Sequence, residues 1–338
     1  MLMCFEVILI HFWTDCFLDT APVYLKPFKM LSPLAVPVFM LMSFYLAGEI
    51  FFKRNTPSGQ DTGVPAKYSR ESRRIWRVCY PQIAWAVIYF IILSITAAEG
   101  MKPMPTDLLW QVFTGHSEKL NATMWFQTDL IAITLLYLLL FKFLENEKAV
   151  LLTQVSFFCA LVMQYTGLNS RLFGGLRFEL KYPLGRFCEM LPYAALGISC
   201  AYFNVFERLK RRRLFFIPLF AIVSAFLLKY KVMTEAPGFG NSDSNCIPLA
   251  FFVTAFAFLL PLENLPGCMK KALEFITRYT LGIYCMHRLV MHLISLFLSR
   301  QAEGTASFVL CIAAYGICFL ISFLISRIPL KPFRQLVS

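Results

Sequence analysis

The chain has 338 residues, of which 58% are hydrophobic, 16% aromatic and only 15% charged. With a mean hydropathy of +0.62, this composition excludes an ordinary water-soluble domain, where charged residues make up about a quarter of the total. The net charge of +12 alone would suit nucleic acid, but Lys and Arg collect in the gaps between long apolar runs, which points to a bilayer and away from a nucleic-acid partner.

The apolar residues form ten blocks, centred roughly on 1–18, 31–52, 78–98, 124–144, 149–168, 187–206, 214–231, 246–262, 279–299 and 305–326. Each is near the ~20 residues with which a helix crosses ~30 Å of hydrocarbon. Lipid offers no partner to a free backbone N–H or C=O, and the period-2 alternation of a barrel is absent, so the expected fold is all-α. It is a polytopic integral membrane protein with about ten transmembrane helices. Segments 53–77, 142–148, 207–213, 263–278 and the tail from 327 hold 20 Lys and Arg, against 11 in the alternate segments. That bias places both termini in the cytoplasm, in agreement with an even number of spans.

The first block carries Glu6 and His11, ionisable groups whose cost at membrane depth asks for a reason. His11 precedes Asp15 and Asp19 by a turn or two, which places it ~6–12 Å below the outer end of the helix. An imidazole there can pack, or it can take a proton from a hydroxyl and pass it on. Met1 opens straight into apolar residues without a basic region or cleavage site, so the reading is a chain that starts inside its first helix, with a few upstream residues missing, rather than a signal peptide. In the second block Ser43 sits among Phe, Met and Leu; its hydroxyl can bond a carbonyl of its own helix, and no base lies near it in sequence.

Segment 53–77 is the most basic inner connection. From Ser69 it reads as a helix entering the membrane, and Arg70, Arg73, Arg74 and Arg77 recur at spacings of three and four, which places them on one face. Guanidinium groups gathered at a bilayer surface serve topology or anionic lipid, or they hold phosphate through their fixed donor fork. Outside, Trp125 opens the fourth block as an interfacial anchor or as a platform for a sugar ring. Segment 167–186, with Arg171 and Arg177 among glycines and aromatics, is either a solvated loop or a set of hydrogen-bonding groups for carbohydrate. Arg208–Arg213 reads as a topological stop signal. The ninth block brings Tyr284, His287, Arg288 and His292 near one helix face, as a structural polar cluster or as a wall of a catalytic site. Arg288 needs a partner, for which Glu6 is a candidate. The eleven cysteines form no CxxC pair and fall mostly within apolar blocks, so they read as small buried side chains rather than metal ligands, and no metal is expected.

Several of these stretches resemble the acyltransferase-3 family of bacterial membrane O-acyltransferases. They are Pro37–Leu46 followed by Arg74-Ile75-Trp76-Arg77 before Pro81 and Trp85, then Met124-Trp125-Phe126, Met190–Gly197 and Thr280–His287. Their order runs over nearly the whole chain, which is read as one domain, 1–338. The resemblance implies transfer of an acyl group, acetyl in the first instance, from a cytoplasmic acyl-CoA to a hydroxyl of a cell-surface or lipid-linked glycan, in a bacterial inner membrane. It implies His11 as the catalytic base, since members carry a histidine in the first helix. The basic residue that precedes this histidine in the family would fall ahead of Met1. The family's arginine pair maps onto Arg74 and Arg77, with Arg70 and Arg73 beside them as further acetyl-CoA contacts. Ser43, Trp125, Arg171, Arg177, Tyr284 and His287 are the candidate acceptor contacts. The family's Ser-Gly in the second helix stands here as Ser43-Phe44, so a close backbone approach at that point has lost its glycine. A secondary transporter of a glycan or lipid-linked intermediate is the rival reading, weakened by the lack of an evident internal repeat.

Overall fold

The computed structural model describes residues 7–8, 34–53, 64–117, 119–120, 123–166, 175, 178–234, 246–297 and 305–337. Most of these residues are helical, and no strand occurs among them. Five helices are long and apolar enough to cross a membrane: Ala35–Phe52, Ile75–Thr96, Trp125–Phe143, Asn146–Met163 and Phe308–Arg327. They match the second, third, fourth, fifth and tenth apolar blocks. The seventh and eighth blocks appear as the shorter apolar helices Arg213–Leu227 and Ile247–Leu259. The sixth and ninth blocks lie in helices that carry charged or imidazole side chains along their length, Phe178–Tyr202 and Thr280–Phe297. The first block falls, apart from Val7 and Ile8, outside the described residues.

Numbered over the described residues, the helices are α1 (Ala35–Lys53), α2 (Val64–Thr96), α3 (Pro105–Thr114), α4 (Trp125–Phe143), α5 (Asn146–Tyr165), α6 (Phe178–Tyr202), α7 (Val205–Lys210), α8 (Arg213–Thr234), α9 (Cys246–Leu259), α10 (Gly267–Thr277), α11 (Thr280–Phe297), α12 (Thr305–Arg327) and α13 (Lys331–Gln335). They group into two compact units. One comprises Met1–Ala35, Arg77–Thr128 and Leu262–Ser338, the other Val36–Trp76 and Asp129–Pro261.

In the second unit α1 is apolar on every side and is buried accordingly, through Val38, Met40, Leu41, Phe44, Tyr45, Ala47 and Phe51. Its contact with α6 depends on small residues. A Cβ at Gly197 would strike the Leu41 carbonyl and come within 2.9 Å of the Tyr45 nitrogen, and one at Gly48 would lie 2.6 Å from the Ala201 Cβ. The close approach of α1 to α6 is thus made through Gly48 and Gly197, with no glycine at the Ser43-Phe44 position. Phe44, in place of glycine, is buried and meets Tyr137 edge-on at 5.4 Å. Aromatic rings fill the remaining gaps: Tyr45 contacts Phe206 at 4.9 Å and Phe258 at 5.0 Å, and Phe206 stacks on Phe258 at 4.6 Å. α6 packs on α5, and α8 on α9. Asn204 takes the left-handed conformation at φ 50° between α6 and α7, which Asn tolerates better than most residues.

In the first unit α11 packs on α12. Cys311, Ala314, Cys318 and Ser322 form a fully buried strip of small side chains on α12, and Gly282 of α11 is pressed against Ser322 Oγ and Val337. Cys285 is likewise buried, but Cys159 and Cys268 are exposed, which corrects the expectation of burial for those two. α2 has the two faces of a membrane helix. Trp85, Ala86, Tyr89 and Leu93 point inward, whereas Ile83, Val87, Ile91 and Ile95 recur every fourth residue on the exposed side, Ile95 at 78%. A stripe of that kind is stable against lipid and not against water. Pro81 lies inside α2, where it supplies no N–H to the carbonyl of Arg77 four residues earlier.

Candidate functional site

The polar residues of α11 enter a dry interior. Tyr284, Cys285 and His287 are buried, His287 completely, in a helix rich in Leu, Ile, Met and Val. The Tyr284 hydroxyl donates to the backbone carbonyl of Thr123, just ahead of α4. Phe126 meets the Tyr284 ring at 5.6 Å, and the Tyr284 and His287 rings lie 5.8 Å apart. Gln127, 0% exposed, donates from Nε2 to the Cys285 Sγ at 2.9 Å. Its Oε1 is buried without a hydrogen-bond partner.

His287 Nδ1 pairs with the carbonyl of Tyr284. A carbonyl only accepts, so Nδ1 carries the proton and Nε2 presents its lone pair, the tautomer of a base.

This cluster is braced from α2. The Tyr89 hydroxyl donates to the Cys285 carbonyl at 3.0 Å and accepts from the Leu289 N–H at 2.9 Å. Those two groups are the ends of one rung of the α11 ladder, and His287 sits between them. Trp85 Nε1 donates to the Leu336 carbonyl at 3.1 Å. Gln82 Nε2 donates to the Val112 carbonyl at 2.9 Å and to Thr128 Oγ1 at 2.8 Å, which ties α2 to the end of α3 and to the start of α4. Gly115, at φ 68°, ends α3 where a Cβ would collide with Thr128 and Met124. The N-terminal turn of α4, and with it Gln127, is therefore fixed by tertiary contacts. Near the C-terminal ends of α2 and α11, His292 Nε2 lies 3.3 Å from Thr96 Oγ1, a more exposed pairing separate from the buried cluster.

Of the residues singled out in the sequence, the structure brings Tyr284 and His287 together. Trp125 is half-buried and reaches them through Phe126, its ring 6.5 Å away. Ser43 is half-buried on α1 and belongs to the second unit. Arg77 is exposed on α2. The backbone of Arg70, Arg73 and Arg74 is helical and continuous with it, so the four share one face; the side chains of those three lie outside the description. His11, Glu6, Arg171 and Arg177 also lie outside the described residues. Arg288 is half-buried.

Sequence reasoning missed Tyr89, Thr123, Gln127 and Asp129. For Gln127 and Asp129 a signal was present, since both interrupt an apolar block where a polar side chain needs a partner. No three His, Cys, Asp or Glu side chains come together as metal ligands among the described residues.

No curated protein and no solved structure matches the chain. A family model described as an acyltransferase domain matches residues 1–327, nearly the full length, and with the helices it makes the protein a membrane acyltransferase. The chain belongs to the acyltransferase-3 family.

Proposed function

We propose that the protein moves an acetyl group from cytoplasmic acetyl-CoA to a hydroxyl of a cell-surface or lipid-linked glycan in a bacterial inner membrane, acting as one functional domain. The observation that carries the reading is the family match over residues 1–327, which makes acyl transfer the reaction. The arginine face of α2 suits the donor. Arg70, Arg73, Arg74 and Arg77 fall within about one third of the helix circumference, and Arg77, at the start of the span, is exposed. Permanently charged forks in that position match the phosphates of a nucleotide thioester. The charged part of the donor then stays in water, and only its acyl arm enters the bundle.

On the acceptor side, His11 takes the hydroxyl proton. The hydroxyl oxygen bonds to the acyl carbon, the C–S bond breaks, and the CoA thiolate leaves and is protonated. His287, with Nε2 as its basic nitrogen, and the unpartnered Gln127 Oε1 favour a hydroxyl in the buried cluster. The experiment is transfer of radiolabelled acetyl from acetyl-CoA into the glycan fraction of membranes that hold the protein or its His11→Ala variant at equal level. Wild type should label the glycan and His11→Ala should not. Absence of acetyl-CoA consumption by wild type would overturn the reading, and full activity in His11→Ala would remove the base from His11.

A further inference from the structure

Two short helices of the first unit, α10 and α13, bury none of their residues. Both lie at one end of the α11–α12 pair. The Tyr279 hydroxyl, just ahead of α11, lies 3.3 Å from Ser326 Oγ near the end of α12, so the start of one helix and the end of the other share a level. Phe275 of α10 meets Phe319 and Phe323 of α12, each at 5.8 Å. α13 is held at that level by the residues after it: Leu336 and Val337 are buried, the Leu336 carbonyl accepts from Trp85 Nε1, and Val337 presses on Gly282. With about 100° between successive residues, Met269, Ala272, Leu273, Phe275 and Ile276 fall on one side of α10, and Lys270, Lys271, Glu274 and Thr277 on the other. The apolar side is nonetheless uncovered, with Met269, Leu273 and Phe275 exposed. The same combination recurs at α13, where Leu330 and Phe333 are exposed beside Lys331 and Arg334.

We propose that α10 and α13 lie together in the headgroup layer of the bilayer and bind anionic phospholipid, with their apolar side chains against the acyl chains and their cations on the lipid phosphates. The charge of the two segments carries the choice of lipid. Across 263–278 and 327–338 the cationic side chains are Lys270, Lys271, Arg278, Arg327, Lys331 and Arg334, against the carboxylates Glu263 and Glu274. Lys270 bonds the Glu263 carbonyl at 2.6 Å, Arg334 the Pro329 carbonyl at 2.9 Å, and Arg327 lies over the Phe323 ring at 4.7 Å. Lys271, Arg278 and Lys331 are exposed, with no ion partner among the described residues. Lys and Arg beside a membrane span are drawn to negatively charged lipid. A soluble phosphate compound would answer the cations but leave Met269, Leu273, Leu330 and Phe333 in water, whereas an interfacial position answers both faces. Continuity points the same way: Leu320 and Leu324 are exposed on the candidate span of α12, so lipid covers the surface beside which α10 is tethered. The assignment does not depend on the acyl-transfer reading.

The test places the full chain in nanodiscs of phosphatidylcholine and phosphatidylglycerol in equal parts. In one preparation the phosphatidylcholine carries a diazirine in its acyl chain, in a matched one the phosphatidylglycerol does, and crosslinks are mapped by peptide mass spectrometry after irradiation. Peptides of α10 and α13 should capture phosphatidylglycerol at least threefold over phosphatidylcholine, while Leu320 and Leu324 of α12 capture the two equally. Lys271→Gln with Arg278→Gln and Lys331→Gln should bring the ratio at α10 and α13 close to one and leave α12 unchanged. Excess acetyl-CoA should alter neither ratio. Absence of lipid on α10 and α13, equal capture of the two lipids there in wild type, or a wild-type ratio in the triple variant would overturn the proposal. Loss of phosphatidylglycerol capture on addition of acetyl-CoA would assign these cations to a soluble phosphate and overturn it too. The wild-type comparison decides even where the variant does not fold.

Discussion

Tyr89→Phe removes one oxygen from within the candidate span Ile75–Thr96 and leaves ring, volume and burial in place. That oxygen serves both ends of the rung between Cys285 and Leu289, at 3.0 Å and 2.9 Å. Each such bond contributes about 1 kcal/mol net, and a buried group left without a partner costs about 1–3 kcal/mol. The carbonyl and the N–H are natural partners four residues apart in α11, so neither is left without a partner once the hydroxyl is gone. The two lost bonds then cost about 1–2 kcal/mol in all. The fold should survive the change. The geometry of His287, which lies within that turn, should change more, because a misplacement of about 1 Å in a group that positions the substrate costs as much as a hundredfold in rate. The expected outcome is a transfer rate at least tenfold below wild type, per folded molecule, in a variant whose melting temperature falls by only a few degrees. Acetyl transfer in membranes and thermal unfolding in detergent measure the two quantities. Wild-type transfer at wild-type stability would refute the claim that the hydroxyl sets this turn; a large loss of stability with an unchanged rate per folded molecule would make Tyr89 a fold residue and detach the turn from the chemistry.

Three further outcomes follow from the same geometry. His287→Gln, which keeps a hydrogen-bonding side chain but loses the accepting Nε2, should lower transfer by about tenfold through a weaker hold on the acceptor hydroxyl, with donor affinity unchanged; a rate equal to wild type in a labelled-acetyl assay would exclude that role. Arg74→Gln with Arg77→Gln should weaken acetyl-CoA binding by about 1.5–3 kcal/mol for each charge-assisted bond removed, read by calorimetry, whereas unchanged affinity would leave the arginines to topology. Gly197→Val places a branched side chain against the Leu41 carbonyl and the Tyr45 nitrogen, and overpacking of about 1–3 kcal/mol should lower the melting temperature. An unaltered melting curve would contradict the close contact of α1 with α6.

The membrane helices were legible because an apolar run of the right length has few other fates: α1, the membrane part of α2, α4, α5 and α12 coincide with blocks visible as runs of Leu, Phe, Ile and Val. The short helices α3 and α10 were not. They lie in polar connections, where Pro105 and the glycine after Thr114, and the mixed Gly-Cys-Met-Lys-Lys run of α10, signal a local helix but leave no apolar block to find. Tyr284 and His287 stood out because polar side chains in an apolar helix must be answered. What answers them was hidden in the linear order: Thr123 lies 161 positions from Tyr284, Gln127 lies 158 from Cys285, and Tyr89 lies 196 from Cys285. Tyr89 had no polar neighbour to mark it, and an interior tyrosine reads as an aromatic packing residue until its hydroxyl is seen to reach another helix.

Pro81 gives α2 a mechanical property. Between the exposed arginine end and the hydroxyl that braces α11 there are twelve residues from Arg77 to Tyr89, about 18 Å of helix, and an unbroken rod would transmit every tilt of one end to the other. The missing rung at Arg77 makes the rod a jointed one. Its cationic arm can follow a bulky charged molecule at the membrane surface, while the arm carrying Trp85 and Tyr89 stays clamped by its bonds to Leu336, Cys285 and Leu289.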